Sequence, residues 1–173
     1  MTREYPDEPA DEFPRPPRTV TDREGRDVEI VAADAADRES ILEMYVAFDP
    51  ADRAQGIPPS REEAIEDWLD TILSEDTLNV AAVHEDSVAG HATLVPDSHG
   101  EYELAIFVLQ SFQGAGIGTE LVETLLGLAQ SEGLENVWLT VERWNDPAVA
   151  LYRKVGFETT EAESFEIEMS IRL

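Results

Sequence analysis

Three glycines at alternate positions, Gly114, Gly116 and Gly118, mark the stretch of this sequence best suited to chemistry. A continuous apolar run at residues 104–109 precedes them and predicts a buried strand, and an amphipathic segment after them predicts a helix. A strand, a glycine loop and a helix together present backbone N–H groups and the positive end of a helix dipole to an anion. Residues 113–119 therefore predict a site for a phosphate or diphosphate.

Two other phosphate motifs fit this loop less well. A Walker loop needs Lys and then Ser or Thr directly after the glycines, and no lysine stands there. The dinucleotide fingerprint needs a glycine where Thr119 stands, although Glu142 after the next predicted strand resembles its ribose-binding acid. More than a hundred residues also precede the loop, whereas a dinucleotide fold usually begins with it.

A second group of residues, from Asn145 to Phe157, reads N-x-x-A-x-x-L-Y-x-x-x-G-F. Together with Gln113-x-x-Gly116-x-Gly118 it resembles the two signatures of the GCN5-related N-acetyltransferase (GNAT) family, in the expected order and separation. The resemblance covers roughly residues 28–172. It implies the α/β fold of acyl-CoA N-acyltransferases, with a mixed, mostly antiparallel central sheet and flanking helices.

The resemblance also implies a reaction and the residues that carry it. An acetyl group would pass from acetyl-CoA directly to a primary amine through a tetrahedral intermediate, with no acetyl-enzyme and no metal ion. The implied cofactor-binding residues are Phe107, Val108, Gln113, Gly114, Ala115, Gly116, Ile117, Gly118, Thr119, Asn145 and Tyr152. The backbone amides of Phe107 and Val108 would hold the acetyl carbonyl and the pantetheine arm.

Two side chains are the expected catalytic residues. Tyr152 would protonate the departing thiolate, because a phenol with a pKa of about 10 is neutral at pH 7. Glu103 would deprotonate the amine directly or through water, with Glu142 as a weaker candidate. Both residues have a structural alternative, since Tyr152 fits a core aromatic and Glu103 a solvated carboxylate. The cofactor-binding Asn145 has one too, as a helix cap before Pro147. The three histidines show no metal-binding spacing.

The loop lacks the base that the family often carries there, since Ala115 stands at that position. No Lys or Arg occurs from Glu62 through Glu142, so we expect backbone amides to hold most of the diphosphate. Arg143, Arg153 and Lys154 are the nearest bases along the chain.

The composition is strongly acidic: 38 acids oppose 12 bases, and the formal net charge is −26. The acids are spread along the chain, and Lys154 is its one lysine, a pattern that resembles proteins of salt-in halophiles and predicts a halophilic archaeal source. The absence of a basic stripe disfavours nucleic-acid binding. The absence of a run of about 18 apolar residues disfavours a membrane span. With no cysteine and no signal-peptide pattern, we expect a cytoplasmic protein.

The predicted elements follow the family order. Residues 1–18 predict a flexible, acidic, proline-rich arm, and residues 19–173 a single domain that begins with a hairpin around Glu24-Gly25. Asp34 predicts a cap for the first helix, and Ser60 with Glu63 a capping box for the second. Strands at residues 78–84 and 87–95 predict a hairpin, and further strands are expected at 101–108, at 136–141 and after Phe157.

Two alternative functions stay open at this point. One is a non-catalytic acyl-CoA sensor or interaction module on the same fold, and the other is a dinucleotide-binding domain. The acceptor amine is not specified by the sequence. A homodimer is compatible with the resemblance.

Overall fold

The computed structural model describes residues 3–52 and 57–173, so the predicted loop at residues 49–59 lies partly outside the described residues. The strands are β1 Arg18–Thr21, β2 Asp27–Ala33, β3 Leu78–His84, β4 Ser87–Pro96, β5 Tyr102–Val108, β6 Asn136–Glu142, β7 Glu158–Ala162 and β8 Glu166–Arg172. The helices are α1 Arg38–Val46, α2 Glu62–Ile72, α3 Ile117–Ser131 and α4 Asp146–Val155. This order matches the predicted one, including the N-terminal hairpin β1–β2.

The eight strands form one sheet in the order β1-β2-β3-β4-β5-β6-β8-β7. Neighbouring strands are antiparallel except β5 and β6, which are parallel and in register only at Tyr102–Val137 and Glu103–Trp138. β5 continues to Val108 and pairs with β4 over its whole length. The strands β5 and β6 therefore diverge after Glu103, and we call the opening between them the split. The predicted mixed, mostly antiparallel α/β fold is confirmed.

The helices cover both faces of this sheet. On one face, α3 and α4 pack against strand residues such as Val80, Leu104 and Leu139. On the other face, α1 and α2 pack against Ala81 and Phe107. The two sets alternate along each strand because successive side chains point to opposite faces. Trp138, between Val137 and Leu139, therefore lies on the face opposite α3.

The predicted turns and caps are only partly found. The hairpin β3–β4 turns at Glu85 and Asp86, whose φ angles of 49° and 67° suit a tight hairpin turn. Asp34 accepts a hydrogen bond from the N–H of Ala36, but it caps the short 3₁₀ helix Ala35–Asp37 that precedes α1. The N-cap of α1 itself is Asp37, whose side chain makes no capping hydrogen bond in the described part of the chain, so the predicted cap lies one turn too early. The capping box at Ser60 is wrong: α2 begins at Glu62, its N-cap is Arg61, and among the described residues no side chain caps it.

The N-terminal arm, here residues 3–17, has no helix or strand but lies along the domain. The N–H of Ala10 donates to the carbonyl of Arg172 at the end of β8 (2.7 Å), and the N–H of Phe13 donates to Gln130 on α3 (2.8 Å). The carbonyl of Pro14 lies so close to Gly127 that a Cβ at that glycine would stand 1.8 Å from its oxygen. The arm therefore follows the domain surface from β8 to α3, and its flexibility stays a prediction.

A buried polar triad joins α1 to the sheet. His91 on β4 is fully buried, with Nδ1 2.6 Å from the hydroxyl of Tyr45 and Nε2 2.7 Å from Oδ1 of Asn79. The Nδ2 of Asn79 donates to the carbonyl of Ile72, so Oδ1 is the acceptor and Nε2 of His91 carries the proton. Burial lowers the pKa of His91 to about 3, which keeps this histidine neutral in the folded protein.

Candidate functional site

The glycine loop joins β5 to α3 and leaves the first turn of that helix uncapped. Gly114 and Gly116 have φ angles of 73° and 94°, which residues with a side chain rarely adopt. Gly116 is the N-cap of α3, and within residues 3–52 and 57–173 no side chain accepts a hydrogen bond from the first turn. The N–H groups of Ile117, Gly118 and Thr119 are therefore oriented for an anion at the positive end of a 15-residue helix.

The side chains of the loop hold it in place. The amide Nε2 of Gln113 donates to the carbonyl of Val108 at the end of β5 (2.9 Å) and to Asp52 (2.9 Å). Ala115 and Ile117 are 3% and 1% exposed, so both are anchored in the core. These contacts fix the backbone donors in position.

Gly118 has a different role from the other two glycines. A Cβ at this position would lie 3.0 Å from Cδ1 of Leu151, so the missing side chain allows α4 to pack closely on the start of α3. This packing brings Asn145 and Tyr152, at the start and middle of α4, to the same end of the molecule as the loop.

Two arginines of the β1–β2 hairpin contact the glycine loop or the residues just before it, and the sequence did not predict this contact. Arg23, in the turn between β1 and β2, donates its backbone N–H to the carbonyl of Ala115 (3.0 Å) and its guanidinium to that of Gly114 (3.4 Å). Arg26 donates to the carbonyl of Ser111 (3.0 Å). The predicted hairpin and its arginines were visible in the sequence, but nothing local indicated that the hairpin folds onto the loop.

A cavity of about 200 Å³ lies beside the loop. Its lining includes the first turn of α3, the cations Arg23 and Lys154, and the carboxylates Asp22 and Glu120. Both carboxylates already pair with other arginines, Asp22 with Arg26 and Glu120 with Arg18. A larger cavity of about 450 Å³ lies along the start of α2 and contains none of the predicted site residues. Of the bases nearest the loop in sequence, Lys154 lines the site, whereas Arg143 binds the carbonyl of Glu163 near β7.

One edge of β5 is open along the split. The N–H of Leu109, which follows β5, donates to the carbonyl of Ala89 on β4 (2.9 Å). Because donors alternate sides along an antiparallel strand, the amide of Phe107 also points to β4, and those of Ile106 and Val108 point into the split. The N–H of Val108 therefore points to the split, as its predicted role requires, whereas the N–H of Phe107 points away from it. The N–H of Ile106, which was not predicted to bind the cofactor, also points into the split.

Glu103 lies at the point where β5 and β6 diverge. It is half-buried and is the register partner of Trp138 on the face opposite α3. Burial raises the pKa of the Glu103 carboxyl; Arg3 lowers it, and the nearby carboxylates, Asp97 first, raise it further. A carboxylate with a raised pKa is better suited to proton transfer than a fully solvated one.

Tyr152 is a core aromatic and Asn145 is a helix cap, as their structural alternatives predict. Tyr152 is 7% exposed, its ring packs edge-on to Phe157 at 5.8 Å, and burial raises the pKa of its phenol well above the usual value. Asn145 caps α4, and its Oδ1 accepts a hydrogen bond from the N–H of Ala148 (3.3 Å). The phenol therefore stays protonated at neutral pH and is able to donate a proton.

Residues 3–52 and 57–173 contain neither a candidate metal site nor a helix that could span a membrane. No group of three or more His, Cys, Asp or Glu in this part could hold a metal ion. None of the helices in the same part combines the length and the apolar character needed to cross a bilayer.

Comparisons with known proteins give a consistent result. The profile described as the Acetyltransferase (GNAT) family matches residues 38–157. Mycothiol acetyltransferase of Saccharomonospora viridis is 36% identical over 141 residues, which are 73% of this chain and 44% of that protein. Peptidyl-lysine N-acetyltransferase YjaB of Escherichia coli is 32% identical over 96 residues, which are 56% of this chain and 59% of that protein.

Solved structures show the same fold. The GNAT domain of S. lividans PAT superposes with a TM-score of 0.76 at 16% identity, covering 91% of this chain and 97% of that one. The structure of yncA from Salmonella typhimurium with its cofactor acetyl-CoA superposes with a TM-score of 0.68 at 20% identity, covering 84% and 94%.

The chain spans about half the length of the curated relatives that it matches. The family profile nevertheless covers well over half of the chain, from the first residue of α1 to Phe157, two residues after α4. The chain therefore belongs to the GNAT family of acetyltransferases.

Proposed function

We propose that this protein transfers the acetyl group of acetyl-CoA to a primary amine by direct attack. The observation that carries the proposal is the uncapped first turn of α3, which lies next to an open strand edge on β5. The first feature suits a diphosphate, and the second suits an extended chain with amide groups. Acetyl-CoA contains both in one molecule and supplies an acetyl group activated as a thioester.

The diphosphate end would be held by backbone donors and by cations from elsewhere in the chain. The N–H groups of Ile117, Gly118 and Thr119 would hold the diphosphate, together with the loop residues from Gln113 to Gly116. Arg23 and Lys154, which line the adjacent cavity, would supply positive charge in place of the base that Ala115 does not provide.

The open edge of β5 would hold the pantetheine and acetyl end of acetyl-CoA. Ile106 directs its N–H and C=O groups into the split, and Val108 directs its N–H there, while the carbonyl of Val108 accepts from Gln113. These groups would pair with the pantetheine amides as a neighbouring strand would. An N–H from the same edge would stabilise negative charge that develops on the acetyl oxygen. Asn145, at the start of α4, would hold the cofactor from the other side of the split.

Two side chains would move protons. Glu103, whose pKa is raised by burial, would accept a proton from the amine, directly or through water. Tyr152, whose phenol stays protonated, would give a proton to the thiolate that leaves. The chain contains no cysteine, so the acetyl group would not pass through a thiol of the protein.

The proposal is tested by thermal unfolding with acetyl-CoA, CoA and NAD in parallel, followed by an amine-dependent assay for free CoA. A ligand at 100 times its dissociation constant stabilises the folded state by about 2.7 kcal/mol, which raises the melting temperature by roughly 5–10 °C for a chain of this length. Stabilisation by acetyl-CoA and CoA but not NAD, together with CoA release, would support the proposal. Binding without turnover for any amine would instead support the sensor alternative.

We also propose that the protein works in molar salt in the cytoplasm, without nucleic-acid partners. The supporting observation is the net charge of −26. The Debye length at 1 M salt is about 3 Å, so repulsion between the protein and the cofactor phosphates is then screened. The affinity for CoA should rise from low to molar KCl. A continuous loss of affinity with an intact fold, measured by calorimetry, would contradict this.

A further inference from the structure

A cation from the N-terminal arm sits in an acidic site on the face of the sheet opposite α3. Nη1 of Arg3 lies 2.8 Å from Glu101 and 3.4 Å from Asp97, and its Nε lies 3.1 Å from Glu168. Its guanidinium carbon stands 3.4 Å from the ring centroid of Trp138. We call the three carboxylates and this ring the Arg3 site.

The Arg3 site has more negative charge than its occupant neutralises. Three carboxylates surround one guanidinium, and the side chains of all four groups are only 20–22% exposed. A site of this kind favours a bound cation strongly, because carboxylates close together repel one another when no cation separates them. The ring face of Trp138 adds a cation–π contact, which favours Arg, ammonium and similar groups.

The site lies directly beside the split. Trp138 is the register partner of Glu103 in the last pair before β5 and β6 diverge, so the two side chains are neighbours on one face. The charged groups that act on Glu103 include Arg3 and two carboxylates of the Arg3 site, Asp97 and Glu168. The proposed base and the cation site are therefore parts of one electrostatic cluster.

The position of the Arg3 site also determines which part of an acceptor substrate would contact it. The glycine loop, α3 and α4 lie on the other face and would hold acetyl-CoA there. An acceptor that reaches the split would have to approach from the face of Glu103 and Trp138. Its first contacts would be carboxylates and an aromatic ring, which favour a positively charged group.

We propose that the Arg3 site binds a second cationic group of the acceptor, so that preferred acceptors carry two positive charges, and that Arg3 is an exchangeable occupant supplied by the arm. This inference rests on the proposed function. Arg3 itself would not be acetylated, because its guanidinium stays protonated. A dicationic amine would place one charged group in the Arg3 site and its other nitrogen near Glu103, where it loses a proton.

The test compares two probes of equal length that differ by one charge, 1,4-diaminobutane and butylamine. Calorimetry gives the ratio of their affinities for the wild type, for Arg3→Ala and for Arg38→Ala. The control Arg38 forms an exposed ion pair with Asp70 on α2, so its replacement changes the net charge equally but at another place. We expect Arg3→Ala to raise the diamine-to-monoamine affinity ratio at least tenfold and Arg38→Ala to leave it unchanged.

A second variant keeps the arm in place. Glu168→Gln removes one carboxylate of the site and leaves Arg3 bound to Glu101, so we expect a several-fold weaker affinity for 1,4-diaminobutane than in the wild type. An unchanged affinity ratio in both variants, or equal changes in Arg3→Ala and Arg38→Ala, would overturn the proposal. Because these titrations need no acetyl-CoA, a failure of the proposed function would show separately, as the absence of stabilisation by CoA.

Discussion

The contact between the arm and α3 predicts that Gly127→Ala has two opposite effects on the free energy of unfolding. Gly127 lies inside α3, where replacement by alanine normally stabilises a helix by about 1 kcal/mol. At this position the new Cβ would stand 1.8 Å from the carbonyl oxygen of Pro14, and it would also contact the carbonyl of Phe13. Real Cβ contacts are essentially never below 3.0 Å, so the arm would have to move by more than 1 Å.

That displacement would break the neighbouring hydrogen bonds. The N–H of Phe13 donates to Oε1 of Gln130 at 2.8 Å, and Nε2 of Gln130 donates to the carbonyl of Asp11 at 3.1 Å. Each bond contributes about 1 kcal/mol, so their loss outweighs the gain in helix propensity. We expect Gly127→Ala to lower the free energy of unfolding by about 1 kcal/mol and the melting temperature by roughly 2–4 °C.

The assay combines calorimetric unfolding with hydrogen–deuterium exchange of the arm peptide. Exchange at Ala10 and Phe13 should become faster in Gly127→Ala. The matched control is Ser131→Ala, at an exposed position of the same helix, which should leave arm exchange unchanged. A higher melting temperature with unchanged arm exchange in Gly127→Ala would refute the packing of the arm on α3.

Three further predictions concern the site and the core. Tyr152→Phe should lower kcat at least tenfold with CoA affinity nearly unchanged, because it removes only the proton donor; equal turnover would exclude Tyr152 as the acid. Arg23→Gln should weaken CoA binding about fivefold in calorimetry, since it removes a cation from the loop cavity, whereas Arg153→Gln should change it less. His91 has a folded pKa of about 3 against 6.5 unfolded, so stability is lost as pH falls below 6.5. By pH 4.5 chemical denaturation should show a loss of about 3 kcal/mol relative to His91→Gln, and His99→Gln should behave as wild type.

The elements that the sequence predicted correctly are those specified by local signals. The glycine loop, α3 and the β3–β4 hairpin each depend on spacing within about 15 residues, and all three are present. The capping box at Ser60 is also a local pattern, but it is wrong. There the backbone of Arg61 takes the N-cap position, and the carbonyl of that residue accepts the N–H of Ile65.

The parts of the site that the sequence did not indicate depend on contacts between distant residues. Arg23 reaches Gly114 across 91 positions, and Arg3 reaches Glu168 across 165. No periodicity in the sequence specifies such contacts. The direction of the Phe107 and Val108 amides depends in the same way on the register of β5 against β4, which a single strand does not reveal.

The split also has a consequence for how the protein unfolds. Strands β1–β5 and strands β6–β8 share only two register pairs, so these two blocks of the sheet meet at a seam with few backbone hydrogen bonds. The core under α3, which contains residues of both blocks, also joins them. Arg3 crosses this seam, because it binds Glu101 at the start of β5 and Glu168 on β8. A ligand held by both Val108 and Asn145 would cross it at the opposite end. The cofactor and the arm would then each connect the two blocks of the sheet. Removal of both should turn a single cooperative unfolding transition into separate melting of the two blocks.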